Sequence, residues 1–269
     1  MIKVFHSREF NKGTVNLEVV ESGFAHIAPK YSWELTSPPF SRLYYIIDGE
    51  QEIEVSRKKY VMRKGNVYLI PAGQTIRTVI SGDVKQLFFH VKVVDFTGKD
   101  ILSLCSMQEG FRCDYIEELV DLYHSTDEKD LFALRSRISL DIVRFLKSCG
   151  IAVSYQNHSP DVIMAVDYIK EHLSARLTVK HVCEDLFICR NTLNNHFRRE
   201  FGQSTGEYID TLLIEKAKLM LLNRELSIGE ISATLGFCDQ FYFSRRFRQK
   251  CGESPLIYRR KNIEYKYGD

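Results

Sequence analysis

"SIGEISATLGFCDQFYFSRRFRQKCGESPLIYRR", residues 227–260, carries apolar residues at helical spacing on both sides of a glycine turn. Ser227 can cap a first helix, Gly236 supplies the turn, Asp239 can cap a second helix and Gly252 can end it. The segment has a counterpart upstream. "TVKHVCEDLFICRNTLNNHFRREFGQSTGEYI", residues 178–209, aligns with it from Ser227 once one residue is inserted before Asp239. Leu193 then matches Phe243, Phe197 matches Phe247, Gly202 matches Gly252, Ser204 matches Ser254 and Tyr208 matches Tyr258. A repeat of this kind is one supersecondary unit used twice. Here the unit is helix, tight turn, helix, which predicts helix-turn-helix motifs at 178–200 and 227–250.

At about 100° per residue Phe243 and Phe247 stack on one side of their helix, while Phe241, Ser244, Arg245 and Arg248 point away. The first copy buries Leu193 and Phe197 and turns Asn191, Asn194, Asn195 and Arg198 outward. Asn pairs bidentately with adenine, Arg with guanine, Ser adapts to either, and an exposed aromatic can lie on a thymine methyl. One solvated amphipathic helix would need no such explanation, but two copies with matching outward faces point to double-stranded DNA. Between them "TGEYIDTLLIEKAKLMLLN", residues 205–223, reads as a single helix from about Gly206 to Leu222. Its span of roughly 25 Å, with the end turns, suits recognition helices set one DNA turn, ~34 Å, apart.

The chain of 269 residues has 37 basic and 35 acidic side chains, so any basic surface must be local. It is found at Arg198 and Arg199, at Arg245, Arg246, Arg248 and Lys250, and at Arg259, Arg260 and Lys261. Seven cysteines include no C-x-x-C pair, which predicts reduced thiols in a cytoplasmic protein. "MIKVFHSREF" lacks an apolar leader core and no apolar run is long enough to span a bilayer, so no membrane partner is expected.

Residues 14–95 carry short alternating runs: "RLYYIIDGEQEIEV" and "YVMRKGNVYLIPAG" each read as strand, glycine turn, strand. These predict an antiparallel sandwich or small barrel. Helical spacing returns at Ile116, Leu119, Val120 and Tyr123, and again at Leu131, Leu134, Ile138, Ile142, Phe145 and Leu146. The second stripe suits either a cap on the β domain or a dimer surface. The fold class is therefore α+β in two domains. Residues 1–100 form a β domain, 101–150 a helical connection or dimerisation region, 151–160 a linker, and 161–265 an all-α domain whose two helix-turn-helix motifs share a linker helix.

Gly236-Phe237, Asp239, Tyr242-Phe243-Ser244-Arg245, Phe247, Gly252, Ser254-Pro255 and Tyr258-Arg259 together resemble the signature of the AraC/XylS transcription regulators, over about 100 residues. The resemblance implies base contacts from Arg190, Asn191, Asn194 and Asn195, and from Gln240, Phe241, Tyr242, Ser244 and Arg245. Phosphates would be held by Arg198, Arg199, Arg246 and Arg248. It further implies an activator, RNA polymerase as a partner, a homodimer, and a small-molecule effector such as a sugar. Cys189 departs from the pattern where a capping serine is usual, and Leu213 where arginine is common. The β region is similar to the cupin-like barrel or jelly-roll sensors of such regulators, with Trp33, Arg42 and Tyr44 as candidate pocket residues or plain core. Only His6, His26 and His90 lie in it, without a His-x-His pair, so neither metal nor other cofactor is expected and no catalytic residue is assigned. The open alternatives are a regulator controlled by dimerisation or protein contact, and a cupin-type enzyme or carbohydrate-binding protein.

Overall fold

The computed structural model describes residues 16–29, 38–151 and 158–262, and the backbone alone of residues 32–35 and 263. His6 and most of the 151–160 connection lie outside the described residues. The N-terminal part holds two antiparallel sheets. One is built from β1 (Asn16–Ile27), β3 (Ser41–Asp48), β6 (Asn66–Ile70), β8 (Val84–Val94) and β9 (Phe111–Arg112), in the order β1-β8-β3-β6-β9. The other is built from β2 (Ser32–Leu35), β4 (Glu50–Val55), β5 (Lys58–Arg63) and β7 (Ile76–Val79), in the order β2-β7-β4-β5.

The central strand β3 is apolar on both faces because both are covered. Tyr44 and Ile46 pack with Ile53, Met62 and Ile76 between the sheets. Leu43 and Tyr45 turn the other way, onto α1 (Ile116–His124) and α2 (Glu128–Ser148). Leu134, Ile138, Ile142, Phe145 and Leu146 are all buried there, so the α2 stripe caps the sheet; Leu131 falls off it and is half exposed.

Two expectations need correction. The Asp48-Gly49 and Lys64-Gly65 turns do not close hairpins, because β3 pairs with β6 and β8 while β4 pairs with β5 and β7. Each turn instead carries the chain from one sheet to the other. The hairpin that does form, β4 to β5, turns at Ser56-Arg57, both with positive φ and neither a residue that advertises such a turn. Among the described residues no ladder joins the two sheets, so the N-terminal part is a sandwich and not a closed barrel.

The helical part runs α3 (Pro160–Glu171), α4 (Val179–Asp185), α5 (Arg190–Phe201), α6 (Thr205–Leu221), α7 (Ile228–Thr234), α8 (Gln240–Cys251) and α9 (Pro255–Ile263). It has two cores. Leu193 and Phe197 pack with Val162, Val166 and Val182 in the first, and Phe243 and Phe247 pack with Ile231, Leu235 and Tyr258 in the second. Helix α6 enters both, through Tyr208 and Ile209 at its start and Leu213, Ala217 and Leu221 further on. No helix among the described residues is long and apolar enough to cross a membrane.

One buried carboxylate ties α2 to the sheet. Asp141, fully inaccessible, accepts hydrogen bonds from Tyr45, at 2.7 Å, and from Tyr115. Replacing it by alanine strands two phenols, and Asp141→Ala is expected to cost about 2–4 kcal/mol in urea unfolding, with Asp141→Asn costing less because an acceptor remains.

Candidate nucleic-acid interface

Local sequence builds both copies the same way. Thr178 and Ser227 begin α4 and α7 with reciprocal capping boxes, closed by His181 and Glu230 three residues on. Asp239 caps α8, its carboxylate accepting from the Tyr242 amide at 2.7 Å. Cys189 stands at the same place before α5, and the Asn191 and Thr192 amides hold its exposed thiol below the ordinary thiol range. Each second helix ends on a left-handed glycine, Gly202 or Gly252.

Residues 191–199 and 241–249 show one identical sequence of buried, half-buried and exposed positions. Leu193, Phe197, Phe243 and Phe247 are fully buried. Arg190, Asn191, Asn195 and Arg198 are exposed on α5, and Gln240, Phe241, Tyr242, Arg245 and Arg248 on α8. Phe241 is 79% exposed, a position that packing alone does not explain. The Arg245 guanidinium lies 5.3 Å from the Tyr242 ring centre, which pre-orients it on the outer face.

Several expected contact residues are engaged within the protein. Asn194 is half-buried and accepts the Thr205 amide at 3.1 Å, fastening α5 to the start of α6. Ser244, its counterpart, is likewise half-buried. One Arg246 Nη bonds both Asp210 carboxylate oxygens, at 2.7 and 2.6 Å, and Lys250 lies 3.6 Å from the same acid. Arg199 pairs with Glu200 at 2.8 Å. Arg259 donates to the Leu221 and Leu226 carbonyls, so this member of the basic cluster secures the end of α6. By contrast Arg190, Arg198, Arg245 and Arg248 form no ion pair among the described residues.

The candidate ligand residues are partly brought together. Arg42 and Tyr44 are both buried on β3, with Arg42 4.9 Å over Phe40 and Phe40 stacked on His90 at 4.5 Å. Burial raises the Tyr44 pKa, opposed by the Arg42 charge. The Trp33 backbone pairs with Thr78, but its side chain lies outside the described residues.

Sequence reasoning missed Asp210, whose partner lies 36 residues away and carries no local signal. It also missed Phe187, which occupies the turn position that Gly236 holds in the second copy. Phe187 has φ 55° and is 94% exposed, a left-handed backbone that a side chain disfavours. With nothing packed against its ring, Phe187→Gly is expected to raise stability by about 1 kcal/mol in urea unfolding. A second expectation concerns acid. Burial would raise the Glu200 pKa, but hydrogen bonds from Arg199, Ser159 and His158 outweigh it and hold the carboxyl down at about 2. A lowered pKa stabilises the fold above the ordinary carboxylate value, and that contribution is lost as pH falls toward about 2. Glu200→Gln should therefore flatten stability between about pH 4.5 and 2 in acid titrations followed by circular dichroism.

The helix-turn-helix domain family matches residues 182–261. The lactose operon transcription activator of Staphylococcus xylosus is 23% identical over 275 residues, covering 94% of this chain and 95% of that protein. The xylose operon regulatory protein of Escherichia coli strain K12 is 26% identical over 250 residues, covering 92% of this chain and 59% of that protein. Among solved structures, the C-terminal domain of AraT, a response regulator from Geobacillus stearothermophilus, is 35% identical, covers 42% of this chain and 95% of that one, and superposes with a TM-score of 0.40.

Proposed function

We propose, from the membership of this chain in the AraC/XylS family of DNA-binding transcription regulators through its C-terminal helix-turn-helix domain, that it reads two successive major grooves and is gated by a small molecule. The observation that carries the proposal is the matched exposure of α5 and α8, each projecting polar and basic side chains from a buried pair of apolar residues. Bases would be read by Arg190, Asn191 and Asn195 in one groove and by Gln240, Phe241, Tyr242 and Arg245 in the next, with Phe241 against a thymine methyl. Arg198 and Arg248 would hold phosphates. Residues 161–265 form the DNA-binding unit in this reading, and the sandwich serves as a cupin-like sensor.

The sensor reading is supported by relatives named for sugar operons, lactose and xylose among them, and the first of these is an activator. Activation would proceed through RNA polymerase bound beside the operator. A second reading, control by a second copy of the chain, is favoured by α2, where Phe132, Leu140 and Val143 are 74%, 61% and 44% exposed on the face turned from the sheet.

Footprinting of the full chain on genomic DNA, followed by titration of the recovered site, tests the central claim. Arg245→Ala should cost about 1–3 kcal/mol on that site and relax one base position. Arg248→Ala should weaken all duplexes alike and lower the salt slope by about 1. Equal loss on every sequence for Arg245→Ala would reassign it to the backbone, and absence of any duplex binding at low salt would defeat the reading.

A further inference from the structure

The two motifs are packed differently at their turns. The second turn, at Leu235 and Gly236, is covered from within the chain by the loop between α3 and α4. The Ala175 amide donates to the Leu235 carbonyl at 2.7 Å, and Ala175 packs against the second helical core. Gly236, at φ 79°, lies so close to this loop that a Cβ there would stand 3.2 Å from the Ser174 Cβ. Leu235 and Phe237 are both buried. The corresponding turn of the first motif is open: Leu186 and Ile188 are half-buried and Phe187 is exposed.

The covering loop shows the reverse asymmetry. Thr178 matches Ser227, so Ser174, Ala175 and Arg176 match Asn223, Arg224 and Glu225 in the loop between α6 and α7. Ser174 and Ala175 are half-buried beside the second turn, whereas residues 223–225 are exposed. One contact of turn on loop is thus made between the two motifs, and each half of a second such contact stands open: a turn at the first motif, a loop before the second. The open turn carries a strained residue. Phe187 copies the left-handed backbone of Gly236, which a side chain disfavours, and its ring is 94% exposed. Strain held for a solvent-facing ring is accounted for when the ring has a partner outside the chain.

We propose that this partner is a second copy of the chain, whose 223–225 loop lies on the Leu186–Ile188 turn when two copies occupy adjacent sites on one DNA duplex. The inner contact chooses the occupant, because the loop that closes the second turn has its match in the chain's own residues 223–225. Repeated from chain to chain, the contact is head-to-tail: it joins unlike surfaces, in contrast to the two-fold pairing that the outer face of α2 would give. Within the chain α6 holds turn and loop together, and a glycine lets the backbones approach. Between chains no covalent link does this, and the Phe187 ring supplies apolar area across a wider gap. One ring and a three-residue loop bury far less than the roughly 1,200 Å² of a stable interface, so the contact does not hold a dimer in free solution. On DNA the adjacent site supplies the effective concentration, and the contact is read as cooperativity. The inference rests on the reading of α5 and α8 in successive major grooves. Motifs one turn apart put the neighbouring chain two turns away, about 21 base pairs.

Gel-shift titration of the full chain tests it on duplexes that carry the footprinted site once, twice in direct repeat about 21 base pairs apart, and twice in inverted repeat. On the direct repeat the second copy should bind about tenfold more tightly than the first. Phe187→Gly and Phe187→Asn, both tolerant of a left-handed backbone, should lose that factor and keep the single-site affinity. A benzophenone photocrosslinker placed at position 187 should join the second copy within a peptide that holds residues 223–225. The inference is overturned if either variant keeps the cooperativity, if the wild-type chain fills the direct repeat independently, or if the crosslink falls on another segment. Cooperativity on the inverted repeat alone also overturns it and points to α2. Absence of binding to any single site defeats the groove reading itself, and the inference with it; intact single-site binding with independent filling defeats the inference alone.

Discussion

Helix α6 is buried in two cores at once, and the geometry of the molecule follows from that. Tyr208 and Ile209 belong to the core under α5, and Leu213, Ala217 and Leu221 to the core under α8. A helix of 17 residues with apolar contacts on both sides along its length has no freedom to hinge between them. The separation of α5 and α8 is thus a property of one rigid rod. The same rod carries Asp210 to Arg246, Tyr208 to Thr97 and Glu215 toward Lys92, so the ties between recognition motifs and the ties to the sheet part share a single element.

Much of this was legible in the sequence because it is local. Capping residues, helix-ending glycines and the 3.6-residue period act over a few positions, and the repeat supplied first-helix caps, helix-ending glycines and the period twice. The buried pairs Leu193 with Phe197 and Phe243 with Phe247 follow from spacing alone. What was not legible depends on residues far apart in the chain. Glycine turns at 49 and 65 announce a reversal but not the sheet to which the next strand belongs. Arg246, Asn194 and Arg259 look like outward polar residues until the acid or backbone group that each meets is brought near by folding. Phe187 was hidden for the opposite reason: its backbone copies the glycine of the second motif, so the repeat persists while the residue type that signals it is gone.

Electrostatics show why a charge count says little here. The helical part carries several clusters of basic residues, but Arg246 and Lys250 share Asp210, Lys261 lies 2.5 Å from Glu253, and Arg259 is spent on carbonyls. Arg190 and Arg198 on α5 and Arg245 and Arg248 on α8 stay exposed and form no ion pair among the described residues, four such charges on two neighbouring motifs against Arg176 and Lys216 elsewhere in the helical part. A field that is weak over the whole molecule is thereby concentrated where two helices project, which favours steering of a polyanion to that face and not to the molecule at large.

Among the equivalent positions at which the two motifs differ, one bears on how each recognition helix is held. Position 246 in α8 ties to α6 through a guanidinium that meets both oxygens of Asp210. Its counterpart in α5 is His196, 3.5 Å from Asp161 on α3 and 3.4 Å from the Ser159 hydroxyl. A guanidinium that meets both carboxylate oxygens makes a strong charge-assisted tie, whereas the longer imidazole contacts make a weaker one. The second recognition helix is therefore clamped directly to the shared rod. The first is held to it chiefly by Asn194 at the Thr205 amide and by the aromatic packing of Phe197 and Phe201 on Tyr208. Tyr208 is also the residue whose hydroxyl reaches the sheet part, so the contact across the junction and the packing under α5 share one side chain.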